Sequence, residues 1–256
     1  MPSLPFALIN ALKAPPPSPG VAEWLGSCTY AHRGLHGDGV AENSPAAFAG
    51  AIERGLGIEC DVRRTGDGRA VVFHDATLER LAGREGQLDR MTVGEVMQVH
   101  LSVGGEAIPT LRDVLDQVAG KVPLLLEIKS DRGQSIHLLC KAVRRDLEGY
   151  RGPVAVMSFD PRVGAWFARK APAITRGLVV TEENSRTLSG RVKRHLSLWA
   201  SQAQFLAYDI RDLPSSFADS QRKRGLPLLS WTVNSPALGQ RAAELVDAPI
   251  AEGPGL

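Results

Sequence analysis

The sequence predicts one α/β domain of the TIM (β/α)8 barrel class, and three observations carry that prediction. Short apolar runs alternate with helical-period segments along most of the chain. Such alternation points to parallel strands joined by crossover helices. Nine strand-like runs occur, but one joins its predecessor by too short a link for a crossover, which leaves eight. The length of 256 residues also fits the ~250 that a (β/α)8 barrel needs, with almost nothing spare.

Taken in order, residues 4–13 read as a short helix, with Phe6, Ile9 and Leu12 or Leu8 at helical spacing. A stiff linker, Ala-Pro-Pro-Pro-Ser-Pro-Gly, covers 14–20. Residues 1–20 are therefore helix and linker, and 21–256 the barrel. Strands are expected over Cys28–His32, Gly57–Arg63, Ala70–His74, Leu124–Ile128, Val154–Phe159, Thr175–Val180, Phe205–Ile210, Leu226–Val233 and Pro249–Ala251. Helices are expected over Ser44–Arg54, Leu111–Ala119, Ile136–Leu147, Arg162–Lys170, Gly190–Ser201, Ser215–Arg224 and Pro236–Leu245. Between Arg63 and Ala70 the link is shorter than the dozen or so residues of a parallel crossover, and Asp67-Gly68 is a hairpin turn signal. Ala70–His74 is thus an antiparallel partner outside the barrel count. Residues 75–108 exceed an ordinary βα loop and should form a small insertion over the C-terminal mouth. No sequence follows the last strand for an eighth helix. The 4–13 helix is expected to cover the outer or bottom surface near the first and last strands instead.

Hydrophobic content of 43% and charged content of 23% are ordinary for a globular chain. A formal charge of +2 is too small to suggest a nucleic-acid or membrane-surface binder. Arg191, Lys193 and Arg194, like Arg222, Lys223 and Arg224, read as solvated helix faces. Cys28, Cys60 and Cys140 are odd in number and widely spaced, with neither a zinc nor a disulfide pattern. A reducing cytoplasm is the expectation. The N-terminus lacks the basic residues of a signal peptide, and no run of ~18 apolar residues suggests a membrane span.

Alternate residues of a strand share a face. Glu59 and Asp61 therefore point one way and Cys60 the other; Glu127 and Lys129 repeat the spacing on a second strand. Charges near the C-terminal end of a barrel strand line the mouth rather than the apolar core. Three carboxylates converging from two strands form a hard oxygen pocket suited to Mg²⁺ or Ca²⁺. For Glu59 or Asp61 the alternative is a buried ion pair with Arg33 or Lys129. His32 and His74 also end strands, each beside a charged residue, and imidazole titrates near neutrality. His36, His100, His137 and His195 read as surface residues. Ser44 and Pro45 suit a helix start, which leaves Glu42 without a role.

Ala31-His32-Arg33-Gly34, Glu42-Asn43-Ser44, Glu59-Cys60-Asp61-Val62, Thr65-Gly66-Asp67-Gly68 and Val71-Val72-Phe73-His74-Asp75 follow one another in this order. Thr77-Leu78-Glu79-Arg80, Ile108-Pro109-Thr110-Leu111, Glu127-Ile128-Lys129, Ser158-Phe159-Asp160 and Trp231-Thr232-Val233-Asn234 continue the series. As an ordered set, from about Tyr30 to about Asp247, they resemble the glycerophosphodiester phosphodiesterase family. That resemblance implies a TIM barrel with a small insertion. It implies that Glu59, Asp61 and Glu127 hold a divalent metal, that His32 and His74 are the acid–base pair, and that Arg33 and Lys129 contact phosphate. It further implies hydrolysis of a glycerophosphodiester to glycerol 3-phosphate and an alcohol, with the glycerol 2-hydroxyl or water as nucleophile. With one divalent ion, those three carboxylates and two basic side chains leave +1, which suits a phosphodiester monoanion. Phe159, Trp231 and Met157 are candidates for the alcohol side, where an aromatic face can hold a quaternary ammonium, although core packing explains Met157 and Phe159 about as well. A lysophospholipase D or sphingomyelinase D activity, and an inactive phosphodiester-binding barrel, are the competing readings.

Overall fold

Local signals set most element boundaries. The computed structural model describes residues 4–14, 16–17, 19–131 and 135–256. In chain order these form α1 Leu4–Lys13, α2 Pro19–Leu25, β1 Tyr30–His32, α3 Pro45–Glu53, β2 Gly57–Arg64, β3 Ala70–Val72, α4 Glu79–Ala82, α5 Val93–Val96, α6 Leu111–Val118 and β4 Leu124–Ile128. They continue as α7 Ile136–Asp146, β5 Val154–Ser158, α8 Pro161–Lys170, β6 Thr175–Val180, α9 Leu188–Ser201, β7 Phe205–Asp209, α10 Ser216–Arg222, β8 Leu228–Val233, α11 Pro236–Leu245 and β9 Ala248–Ala251. Ser44, Thr110, Asp160, Thr187, Ser215 and Ser235 each accept a backbone N–H at a helix start. Such caps are worth about 1 kcal/mol each and hold the βα junctions in place.

The alternation is that of a (β/α)8 barrel, with β3 outside the count. Two compact units make it up, Tyr30–Val154 and a second of residues up to Thr29 with Ala155–Leu256. In the first, β2 lies between β1 and β4, parallel to both. The short hairpin turns β3 back antiparallel on β2, with Val62 opposite Val72. In the second, β5 to β9 run parallel in sequence order. Ile58, Cys60 and Val62 alternate with Glu59 and Asp61, and all five are buried. The apolar set contributes roughly 1.5–3 kcal/mol per large side chain, which helps the fold hold the carboxylates at the site. Cys28, Cys60 and Cys140 form no disulfide among the described residues.

Residues 75–108 have a small core of their own. Leu78, Leu88, Val96, Val99 and Leu101 pack on Phe73 and Ile108, and a reciprocal Thr92–Glu95 capping box starts α5. The segment is thus a built platform. Its α4 carries Arg80 into the site described below.

The N-terminal helix is present, but its place differs from the expectation. It packs on α9, the helix between β6 and β7, rather than beside the last strand. The cause is side-chain matching. Phe6 stacks on His195 with ring centroids 4.2 Å apart. Asn10 Oδ1 accepts from Trp199 Nε1 at 2.8 Å and from His195 Nδ1 at 3.1 Å. Arg224 donates to the carbonyls of Asn10 and Ala14. His195 and Arg224 are therefore structural rather than surface residues, and burial, with Arg194 and Arg191 adding to it, pushes His195 down to about 4. The linker is also shorter than expected: Ala14 is buried and α2 begins at Pro19, while Pro15 and Ser18 lie outside the described residues. Deleting residues 1–13 should cost on the order of 2 kcal/mol and lower Tm by roughly 5 °C, because Trp199 and His195 lose their partners. An unchanged melting temperature would refute this account of the helix.

Candidate active site

The turn after β1 sets the first residues of the site. Arg33 and Gly34 both take positive φ, 57° and 79°. A Cβ at Gly34 would lie 2.8 Å from Ala47 Cβ, so glycine lets this turn close on α3. Asn43 also has positive φ, 56°, a conformation that asparagine tolerates better than most residues. It then holds Asp61 from two sides. Its Nδ2 donates to Asp61 Oδ2 at 2.9 Å, and its Oδ1 accepts the Asp61 backbone N–H at 3.2 Å.

Strand register brings the candidates of this unit together. His32 is opposite Glu59 across β1–β2, and Asp61 is opposite Glu127 across β2–β4. Carboxylate oxygens of Glu59, Asp61 and Glu127 come within 4.8 Å of one another. His32 Nε2 is 3.9 Å from Glu59 Oε2. Lys129 Nζ bridges Asp61 Oδ1 at 2.8 Å and Glu127 Oε1 at 2.6 Å. Arg33 Nε reaches Asp61 at 3.3 Å. The ion-pair and metal readings of these carboxylates are thus not exclusive.

The charges divide the carboxylates. Burial works to raise Asp61, but the Lys129 and Arg33 cations outweigh it and hold the carboxyl at about 2. Glu59 goes the other way: burial first, then repulsion from Asp61 and Glu127, push it well above 4.5. Its Oε1 is buried without a hydrogen bond among the described residues. A divalent cation answers both features, since it neutralises crowded carboxylates and takes an orphan hard oxygen as ligand. The three side chains therefore fit a metal ion.

A second chain of contacts reaches His74. Its Nδ1 lies 2.7 Å from Asp75 Oδ1, and Asp75 Oδ2 accepts from Arg80 Nε at 2.6 Å. Arg80 grips Glu42 with both terminal nitrogens, at 2.9 and 2.8 Å, and Glu42 Oε1 also accepts from Arg33 Nη1 at 2.7 Å. Arg63 Nε fixes the His74 carbonyl at 2.6 Å. Burial, aided by Lys129 and Arg33, holds the His74 ring below 6.5 against the pull of Asp61 and Asp75. A neutral ring bonded to a carboxylate carries its proton on Nδ1 and its lone pair on Nε2.

Glu42, Asn43, Asp75 and Arg80 are the members that sequence analysis left without roles. All four stand inside the quoted stretches, but their function depends on tertiary contacts that periodicity does not reveal. Counting Glu42, Asp75 and Arg80 lowers the charge balance by one from the sequence-based value. The site is then still less suited to a phosphomonoester dianion. Phe159 and Trp231 belong to the other unit, where they meet edge to face at 5.4 Å. Met157 is buried there.

A family model described as the glycerophosphoryl diester phosphodiesterase family matches residues 32–251. A glycerophosphodiester phosphodiesterase of Caldanaerobacter subterraneus is 30% identical over 239 residues, 88% of this chain and 93% of the relative. A glycerophosphodiester phosphodiesterase of Thermotoga maritima aligns in three dimensions with a TM-score of 0.69 at 28% identity, over 88% of this chain and 93% of its own. A solved structure from Silicibacter pomeroyi aligns with a TM-score of 0.77 at 25% identity, over 91% and 95% of the two chains.

Proposed function

The chain belongs to the glycerophosphoryl diester phosphodiesterase family, and from that premise we propose that it hydrolyses small glycerophosphodiesters to glycerol 3-phosphate and an alcohol. The observation that carries this reading is the carboxylate trio within 4.8 Å, with His32 beside Glu59 and His74 held separately by Asp75. Glu59, Asp61 and Glu127 would hold Mg²⁺ or Ca²⁺. When bound, such an ion supplies charge stabilisation at the phosphoryl oxygens.

The protein's own groups do the rest. Arg33 spends Nε on Asp61 and Nη1 on Glu42, so Nη2 has donors for a phosphoryl oxygen. Lys129 gives two of its three protons to carboxylates and has a third for the phosphate. His74 Nε2 takes the proton of the attacking hydroxyl, with Asp75 stabilising the imidazolium that results. His32 gives a proton to the departing alcohol oxygen as the P–O bond breaks. If the glycerol 2-hydroxyl attacks, a cyclic phosphate forms and water opens it; a trapped cyclic product distinguishes this route from direct attack by water.

Exhaustive chelation should abolish turnover of a glycerophosphodiester panel, and Mg²⁺ or Ca²⁺ should restore it. Full activity in metal-free protein would sink the metal assignment. Turnover of phosphomonoesters in preference to diesters would sink the substrate class.

A further inference from the structure

Eleven large hydrophobic side chains are exposed among the described residues, and six lie on two helices that pack on each other. They are Leu8, Ile9 and Leu12 on α1, and Leu188, Val192 and Leu196 on α9. Leu12 and Leu188 are 75% and 74% exposed. Leu188, Val192 and Leu196 are spaced by four, so they form one stripe along α9. The inward side of α1 is already satisfied through Phe6 and Asn10. What it exposes is therefore apolar surface beyond that needed for its own docking.

Charge on this pair has a single sign. Neither helix contains an acidic residue, while Lys13, Arg191, Lys193 and Arg194 are basic. Beside them is a cavity of about 600 Å³, lined by Phe6, Leu188 and Arg191 among others, with five arginines against two carboxylates. Arg186 and Arg194 are paired with Asp212 and Glu182; Arg191 has no ion pair among the described residues. The chain's formal charge of +2 averages this concentration away.

We propose that α1 and α9 form a docking face for a bilayer surface rich in anionic phospholipid. The exposed leucines, Ile9 and Val192 enter the boundary between headgroups and acyl chains, and Lys13, Arg191 and Lys193 meet the lipid phosphates. A second copy of this chain fits the face less well, because two-fold pairing would set cation against cation. The inference is independent of the proposed reaction, since it concerns residues outside the candidate active site.

Co-sedimentation of the full chain with vesicles tests it. Binding is expected to phosphatidylcholine vesicles containing phosphatidylserine, weakening with salt, and little to phosphatidylcholine alone. Arg191→Gln with Lys193→Gln should lower partitioning roughly 30-fold. Leu12→Gln with Leu188→Gln and Leu196→Gln should lower it on the order of 10-fold or more. Unchanged circular dichroism and unchanged turnover of a short-chain, water-dissolved diester would show both variants folded. No binding to anionic vesicles, equal binding by both variants and wild type, or a wild-type dimer that the leucine variant converts to monomer would each overturn the proposal.

Discussion

Replacing His74 by alanine is expected to lower kcat by roughly 10²–10⁴-fold, the range for loss of a positioned general acid or base, with the fold intact. The ring is 30% exposed, so its loss leaves no large core cavity. Its partner chain through Asp75, Arg80 and Glu42 persists without it. Because burial holds the ring below 6.5, wild-type kcat/KM should rise with pH through a limb lying below that value. With the neutral ring as the proposed base, activity should be lost as pH falls. In His74→Ala that limb should disappear along with the rate. His32→Ala should lower kcat over a similar range, but it should leave the acidic limb in place. Near wild-type kcat in either variant would make that histidine structural; a retained acidic limb in His74→Ala would place the base elsewhere.

Asp75→Asn separates orientation from proton transfer. The amide can still accept from Nδ1–H, yet it offers no charge to stabilise the imidazolium. Its effect should therefore be smaller than removal of the ring.

The strands of the candidate site were legible because strand periodicity is local. Glu59 and Asp61 share a face by alternation, and setting the Ala70 strand aside places Leu124–Ile128 beside Gly57–Arg64, as the register records. His32 and His74 were legible as strand-end residues beside charges. The Asp75–Arg80–Glu42 chain was not, since it joins a strand end, an insertion helix and the turn after β1. Asn43 hid for another reason. Its role rests on a positive φ and on both ends of one amide, which sequence patterning cannot distinguish from an ordinary residue before a helix cap. The docking of α1 depended on Asn10 meeting Trp199, 189 positions away. A histidine in a polar-looking helix, His195, carried no signal that it would be buried.

Asp61→Asn should lower both activity and stability, and the second effect should depend on pH in a defined direction. Asp61 is buried and meets Arg33, Lys129 and Asn43. Removing one partner of a buried ion pair costs about 3–5 kcal/mol. Here Arg33 keeps Glu42 and Lys129 keeps Glu127, so roughly 2–3 kcal/mol is expected at neutral pH in metal-free protein. The carboxyl is held at about 2 against an ordinary value of 3.8. A depressed acid stabilises the fold above its unfolded value and loses that contribution as pH falls through the folded one. The window therefore runs from about pH 4 down to about pH 2, and a shift of this size corresponds to roughly 2–3 kcal/mol. Glu59, held above 4.5 by burial and its acidic neighbours, works in the opposite sense, since protonation relieves it. Wild-type stability alone thus mixes two trends, whereas the difference between wild type and Asp61→Asn is dominated by the residue replaced. Urea melts of metal-free protein at neutral pH and near pH 4 should show the full gap, and the gap should close toward pH 2. Turnover with metal supplied should fall on the order of 10²–10³-fold, as for other losses of charge stabilisation at a reacting centre. A gap that stays constant across the window, or none at neutral pH, would mean that Asp61 does not anchor the two cations.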